Sequence, residues 1–238
     1  MKFTPKDIEE LKTILAACKV IGVDGVVIHE GMARGAKPSL DAAILSIAKL
    51  SISEALRIGI GRVAELEKRL AIFPGEVMIE GKSSDAGDVS LLTLSSGKTK
   101  MQFRCTSAAL MKYPKLNDDK PFAIIAFNRS EVSQISKAVK TLSSETIVLH
   151  ISRAGGVTLE CVDSSNDKFD IELSKPVEYV EEADSVVQTY LATLLVDVLD
   201  AAAKDAEDVT FVLGHSGSIT ATAKGHTLLV MPQITGEE

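Results

Sequence analysis

The stretch NRSEVSQISKAVKTL, residues 128–142, reads as a complete helix. Asn128 is a residue type whose side-chain oxygen caps helix N-termini. Val132, Ile135, Val139 and Leu142 then recur at helical spacing along one side. Subtracting 124 from each number lands on Ile8, Leu11, Leu15 and Cys18, the stripe of a helix that opens the chain. There Thr4 can cap, Pro5 suits the first helical position, and Asp7, Glu9 and Glu10 suit the first turn. The same shift carries Gly155 onto Gly31, and a predicted strand Ile147 to Arg153 onto a predicted strand Val23 to His29. One ungapped register thus joins a helix, a strand and a turn in both halves. Any α+β chain yields loosely similar halves, but a shared register is the signature of internal duplication.

Working outward, the first half continues with a Gly/Pro-containing loop, strands at Asp41 to Lys49 and Glu54 to Ile58, and a helix with the stripe Val63, Leu66, Leu70 and Phe73, ended by Pro74-Gly75. Three strands follow: Glu76 to Glu80, Val89 to Leu94 and Lys98 to Cys105. Periodicity then disappears over residues 108–121, a run with two prolines that marks a linker. The second half restarts with a strand Phe122 to Phe127 and the helix quoted above. Strands Val157 to Asp163 and Lys168 to Leu173 come next, then a long helix from Asp184 to about Ala206. The last strands are Val209 to Leu213, Ser218 to Ala223 and Thr227 to Met231. The expected organisation is a domain over 1–107, a connector over 108–121 and a second domain over 122–238.

Composition narrows the function. With 45% hydrophobic and 25% charged residues the chain is that of a globular protein. No window approaches the roughly 20 apolar residues of a membrane span, and the charged opening lacks the apolar core of a secretion signal. Three scattered cysteines, Cys18, Cys105 and Cys161, fit a reducing cytoplasm better than a disulfide framework. With four histidines at no ligand spacing they leave metal chemistry without support. The net charge of −7 disfavours nucleic acid only on average, because binding depends on where charges sit.

The duplicated plan, two helices per half with a connector between, resembles the DNA polymerase sliding clamps. The nearest types are the two-domain clamps of tailed phages and the proliferating cell nuclear antigen. Local runs carry the resemblance: residues 39–47 (SLDAAILSI), residues 62–70 (RVAELEKRL), Asp208 to Gly214 with Ser218 to Ala221, and residues 228–234 (LLVMPQI) before the acidic Glu237-Glu238 end. The resemblance spans nearly the whole chain through order and spacing, each run alone being of low specificity. It implies an α+β fold of two repeated clamp domains, each with two helices packed on antiparallel sheets. It implies no catalysis, no cofactor and no metal. It further implies a homotrimeric ring around duplex DNA that tethers a replicative polymerase for processivity. Polymerase and clamp loader would dock through short peptide motifs, in the cytoplasm, that of a host if the chain is phage-encoded.

A clamp holds DNA without reading it, so it needs Lys and Arg aimed at phosphates. Opposite the apolar stripes lie Lys12, Lys19, Lys68, Arg129, Lys137 and Lys140, although lysines there also suit any solvated helix face. The last helix departs from this, with Thr189, Thr193, Asp197, Asp200 and Lys204 on its polar side. For ring closure, Lys98, Lys100 and Arg104 on one strand complement Asp167, Asp170 and Glu172 on another; such charges also serve simply to guard free edges. By position, the partner-peptide groove is lined by Leu40, Leu45, Leu116, Leu229, Met231 and Pro232, with Met111 and Tyr113 as additions. Plain core packing is the alternative role for these residues.

Two other functions fit parts of the sequence. Gly59-Ile60-Gly61-Arg62-Val63-Ala64 matches the G-x-G-x-x-A fingerprint of nicotinamide dinucleotide enzymes, with Glu80 placed for a ribose. The strand–helix–strand units that should follow it are missing. The other is a duplicated α+β scaffold that binds proteins without DNA.

Overall fold

The structure, a computed structural model, describes residues 2–37, 43–47, 50–52, 57–73, 75–85, 87–111, 119–152, 154–180, 185–203, 207–223 and 226–232. The chain forms two compact units, one from Met1–Lys37 and Ile44–Pro114, the other from Pro38–Ala43 and Lys115–Glu238.

The first unit opens with helix α1 (Pro5–Val20), then strands β1 (Val26–His29), β2 (Met32–Ala36), β3 (Ala43–Ile47) and β4 (Arg57–Ile60). Helix α2 (Val63–Leu70) and strands β5 (Met78–Ser83), β6 (Asp88–Ser96) and β7 (Thr99–Arg104) complete it. Its strands run β3-β2-β1-β4-β6-β5, and β7 also pairs with β6. Among the described residues these pairings are antiparallel except a short parallel contact of β4 with β6.

The second unit comprises β8 (Pro121–Asn128), α3 (Arg129–Leu142), β9 (Thr146–Ile151), β10 (Val157–Val162), β11 (Lys168–Glu172) and β12 (Glu178–Tyr179). It ends with β13 (Val186–Leu191), α4 (Ala192–Ala203), β14 (Asp208–Gly214), β15 (Ile219–Ala223) and β16 (His226–Val230). One sheet has the order β11-β10-β9-β13; the other strands run β12-β8-β14-β15-β16.

The two helices that share the 124-residue register start alike. Thr4 and Asn128 cap them, each accepting from the backbone N–H three residues on. Asp7 and Glu131 reach back to the cap's own N–H, both at 2.7 Å, which completes a reciprocal capping box. Both carboxylates are buried, and each holds a distant loop: Asp7 accepts from the Ser51 hydroxyl at 3.2 Å, and Glu131 from the Ser174 N–H at 2.7 Å. Behind the caps, α1 buries Ile8, Leu11, Leu15 and Cys18, with Ile14 added. The helix α3 buries Val132, Ile135 and Val139. Fully burying such a side chain contributes about 1.5–3 kcal/mol, so the stripes hold the helices to the sheets.

Several elements differ from the sequence reading. Val186 to Leu191, expected as the start of a long helix, is instead strand β13, paired with β9 along its full length. Consecutive β-branched and aromatic residues favour that pairing, and α4 begins only at Ala192. This correction brings the halves closer, because β4 precedes α2 and pairs with β1 as β13 precedes α4 and pairs with β9. The stretch Met32 to Ala36, expected as loop, is strand β2; Glu30 and Gly31, both with positive φ, form the two-residue turn that returns it to β1. The strand β1 starts at Val26 rather than Val23, and β4 runs on through Ile60. The helix α2 stops at Leu70, leaving Phe73 buried just beyond it. Lys98 sits in the β6–β7 turn with Gly97, outside the strand.

Replacing Glu131 by Ala leaves the N–H groups of Asn128 and Ser174 without their acceptor inside the fold. The expected loss is about 2 kcal/mol of unfolding free energy, read as a lower urea midpoint at unchanged slope.

Candidate nucleic-acid, subunit and partner surfaces

In unit 1 α1 packs against α2, and in unit 2 α3 packs against α4. What each pair exposes differs sharply. On α3 the outward stripe is Arg129, Ser133, Lys137 and Lys140, all exposed, while its one acid, Glu131, is buried in the capping box. Among the described residues no ion pair engages Arg129, Lys137 or Lys140, nor Lys68 on the exposed side of α2. These four cations are therefore available to an external anion.

Lys12 and Lys19 are exposed too, but partnered. Lys12 bonds Glu9 at 2.8 Å within α1, and Lys19 reaches Glu67 of α2 at 3.3 Å. Exposed pairs of this kind contribute only about 0–1 kcal/mol and exchange easily. A depression of about 500 Å³ lies between the two helices, lined by Lys19 and Lys68 together with the buried Cys18 and Val63. The face of α4 is acidic: Thr193, Asp197 and Asp200 are its exposed positions, and Ser136 of α3 donates to Asp200 at 3.1 Å. Thr189, expected on the same face, lies on β13, and Lys204 falls outside the described residues.

The two strands expected at a subunit boundary are both sheet edges. Among the described residues, strand β7 pairs only with β6, and β11 only with β10. Lys100, Gln102 and Arg104 project to the exposed side of β7, as do Lys168, Asp170 and Glu172 from β11. Asp167 lies in the turn before β11. Lys168 is a cation within the acidic edge that sequence reasoning passed over; it bonds Glu160 at 2.9 Å and Asp170 at 3.2 Å. Those two bonds raise the Lys168 pKa. The helix α2 already reaches the β7 edge. Arg69 donates to the Gln102 carbonyl at 2.9 Å and Arg62 to the Arg104 carbonyl at 3.3 Å, and both guanidiniums lie over the Phe103 ring.

Of the groove residues, Leu229 is buried on β16, and Met231 and Pro232 are half-buried just past its end. Leu45 is fully buried in β3, a core position, and Met111 is half-buried. Leu40, Leu116 and Tyr113 lie outside the described residues.

The dinucleotide fingerprint has a different explanation. Gly59 belongs to β4, where it pairs antiparallel with Val27 of β1; the parallel contact with β6 is short and ends at Ile58, unlike the continuous parallel pairing of a nucleotide-binding unit. A Cβ on Gly59 would collide with the carbonyl oxygen of Thr106 and crowd the N–H of Ala108, and one on Gly61 would meet the Thr106 hydroxyl. The Thr106 N–H donates to Gly59 O at 2.9 Å. The glycines thus admit this protein's own backbone where a phosphate would have to sit, and Ala64 is simply exposed on α2. Burial pushes the thiols of Cys18 and Cys105 up to about 12 and that of Cys161 to about 11, so all three stay protonated and weakly nucleophilic at neutral pH. Among the described residues no cluster of three metal-ligating side chains forms, and no helix is long and apolar enough to cross a membrane.

Two repeats of a helix pair on antiparallel strands define the DNA sliding-clamp fold, and the solved structures bear this out. Proliferating cell nuclear antigen from Entamoeba histolytica superposes with a TM-score of 0.66 at 15% identity, over 97% of this chain and 97% of that one. The A. fulgidus PCNA structure with the C-terminal region of FEN-1 bound gives 0.65 at 16% identity, over 99% and 98%. DNA polymerase III subunit β from Pseudomonas aeruginosa gives 0.68 at 16% identity, over 98% of this chain but 65% of its own length. No family model and no curated protein sequence matches the chain. At this identity the likeness is one of fold.

Gly59→Ala is expected to destabilise the protein by about 1–3 kcal/mol through overpacking against the Thr106 backbone. Nicotinamide dinucleotide is expected to leave the melting temperature of the unaltered chain unmoved. A ligand-induced rise would restore the enzyme reading.

Proposed function

We propose that this protein is a DNA sliding clamp: a homotrimeric ring that encircles duplex DNA and tethers a replicative polymerase, without chemistry of its own. The observation that carries the reading is the face of α3, where Arg129, Lys137 and Lys140 stand exposed and unpaired while the helix's only acid is consumed by its capping box. A patch so arranged meets phosphates at any sequence, which is what sliding requires. Within unit 1, Lys68 offers a like exposed cation, and Lys12 and Lys19 do so once their carboxylate partners are exchanged for phosphate. The acidic stripe of α4 keeps the hold weak enough to slide.

Two open edges support ring closure. We assign Lys98, Lys100 and Arg104 to one side of the subunit boundary and Asp167, Asp170 and Glu172 to the other, so that opposite charges select partner and register. Coverage favours three subunits: the chain aligns with 97–98% of the two PCNA chains but with 65% of the polymerase III subunit. Six domains then close the ring. Polymerase and loader peptides would dock beside Leu229, Met231 and Pro232, with Leu40 and Leu116 as further lining, while Leu45 stays in the core. A cytoplasmic site of action, in a host cell if the chain is phage-encoded, accords with three free cysteines.

Primer extension by the cognate polymerase and loader on a long single-stranded circle tests the reading. Substituting Lys68, Lys137 and Lys140 together by Ala should shorten products several-fold while assembly is unchanged. Full-length products from the triple variant would remove these lysines from the DNA-facing set.

A further inference from the structure

The chain reaches β8 through Asp119 and Lys120, and the Asp119 carboxylate is held by four hydrogen-bond contacts from one turn. Ser216 donates its hydroxyl to Oδ2 and its backbone N–H to Oδ1 at 3.2 Å and, more weakly, to Oδ2 at 3.4 Å. Ser218 donates its hydroxyl to Oδ2 at 2.6 Å. The turn, Gly214 to Ser218, joins β14 to β15 and is built to receive the group. A Cβ on Gly214 would occupy the place of the carboxylate. Gly217 takes a positive φ, and its carbonyl accepts from the buried Tyr190 hydroxyl at 2.6 Å. The His215 N–H donates to Lys120 O at 3.2 Å.

Burial alone would raise the Asp119 pKa, but the bonds from Ser216 and Ser218, helped by His215, outweigh it and hold the carboxyl below its ordinary value. The latch is therefore engaged at neutral pH and is lost only as pH falls through that lowered value.

The ladder between β8 and β14 does not require this carboxylate, since it runs from Asn128 to Pro121 on backbone bonds. Its position gives it another use. The register Ile219↔Val230 sets Ser218 next to the point where Met231 and Pro232 leave β16. We propose that Asp119 is a positioning residue for partner docking: by seating in the Ser216–Ser218 turn it fixes the end of the connector beside Met231 and Pro232, and so shapes the site that takes a partner's apolar peptide anchors. This rests on the clamp reading above.

The test uses the full chain in loader-dependent primer extension, titrating polymerase. Asp119→Ala should raise the polymerase concentration for half-maximal synthesis about tenfold, leave the maximal rate unchanged, and speed amide exchange at Ser216 and Ser218. Ser216→Ala/Ser218→Ala should do the same from the other side, and the triple variant should be no worse than Asp119→Ala. Asp119→Asn, which keeps one acceptor oxygen, should fall between. An unchanged half-saturation point with faster amide exchange would overturn the positioning role, and additive losses in the triple variant would overturn the latch. Absence of any stimulation by the unaltered chain would instead fail the clamp reading itself.

Discussion

A buried carboxylate three residues past the cap closes the first helix of each half, and much of the fold is hung from it. Asp7 and Glu131 each satisfy the cap N–H and also grip a loop more than forty residues away. A buried charge is costly unless several donors surround it, so each carboxylate constrains helix start and loop together. Because the two sit 124 residues apart in an unbroken register, the same constraint is imposed twice. The helices are thereby fixed to their sheets, and their outward faces are freed for other work.

On the proposed clamp reading, those outward faces are where an acidic protein meets DNA. The surplus of acid lies elsewhere, partly in ion pairs and partly on α4, while α3 presents cations alone. Burying Glu131 removes the one acid of α3 itself that would oppose them. The same economy operates at β7, where Arg62 and Arg69 satisfy outward carbonyls of an edge strand and stack on Phe103. An edge guarded by arginine resists casual pairing, yet can still exchange those bonds for a matched acidic strand.

Much of the architecture was legible because it rests on periodicity and capping. The helical stripes, the cap at Asn128 and the Gly31 and Gly155 turns were all written locally. What was hidden depends on partners distant in sequence. Val186 to Leu191 continues an apolar pattern straight into α4, and only pairing with β9 makes it a strand. Met32 to Ala36 carries small and charged residues with little strand preference, so its pairing with β1 decides. Gly59 and Gly61 imitate a nucleotide fingerprint because close approach of any backbone calls for glycine, here that of residues 106–108. Of the candidate site, the exposure of the basic residues could be anticipated from the wheel, but the pairing of Lys12 and Lys19 and the seat of Asp119 could not.

Central to this account is that the open, oppositely charged edges β7 and β11 find each other on different chains. Multi-angle light scattering of the purified protein reads this most directly. The account predicts a particle three times the 25.4 kDa chain mass, collapsing when Lys100 and Arg104 are made Glu. A single-chain mass at every concentration, or a trimer indifferent to those charges, would contradict it.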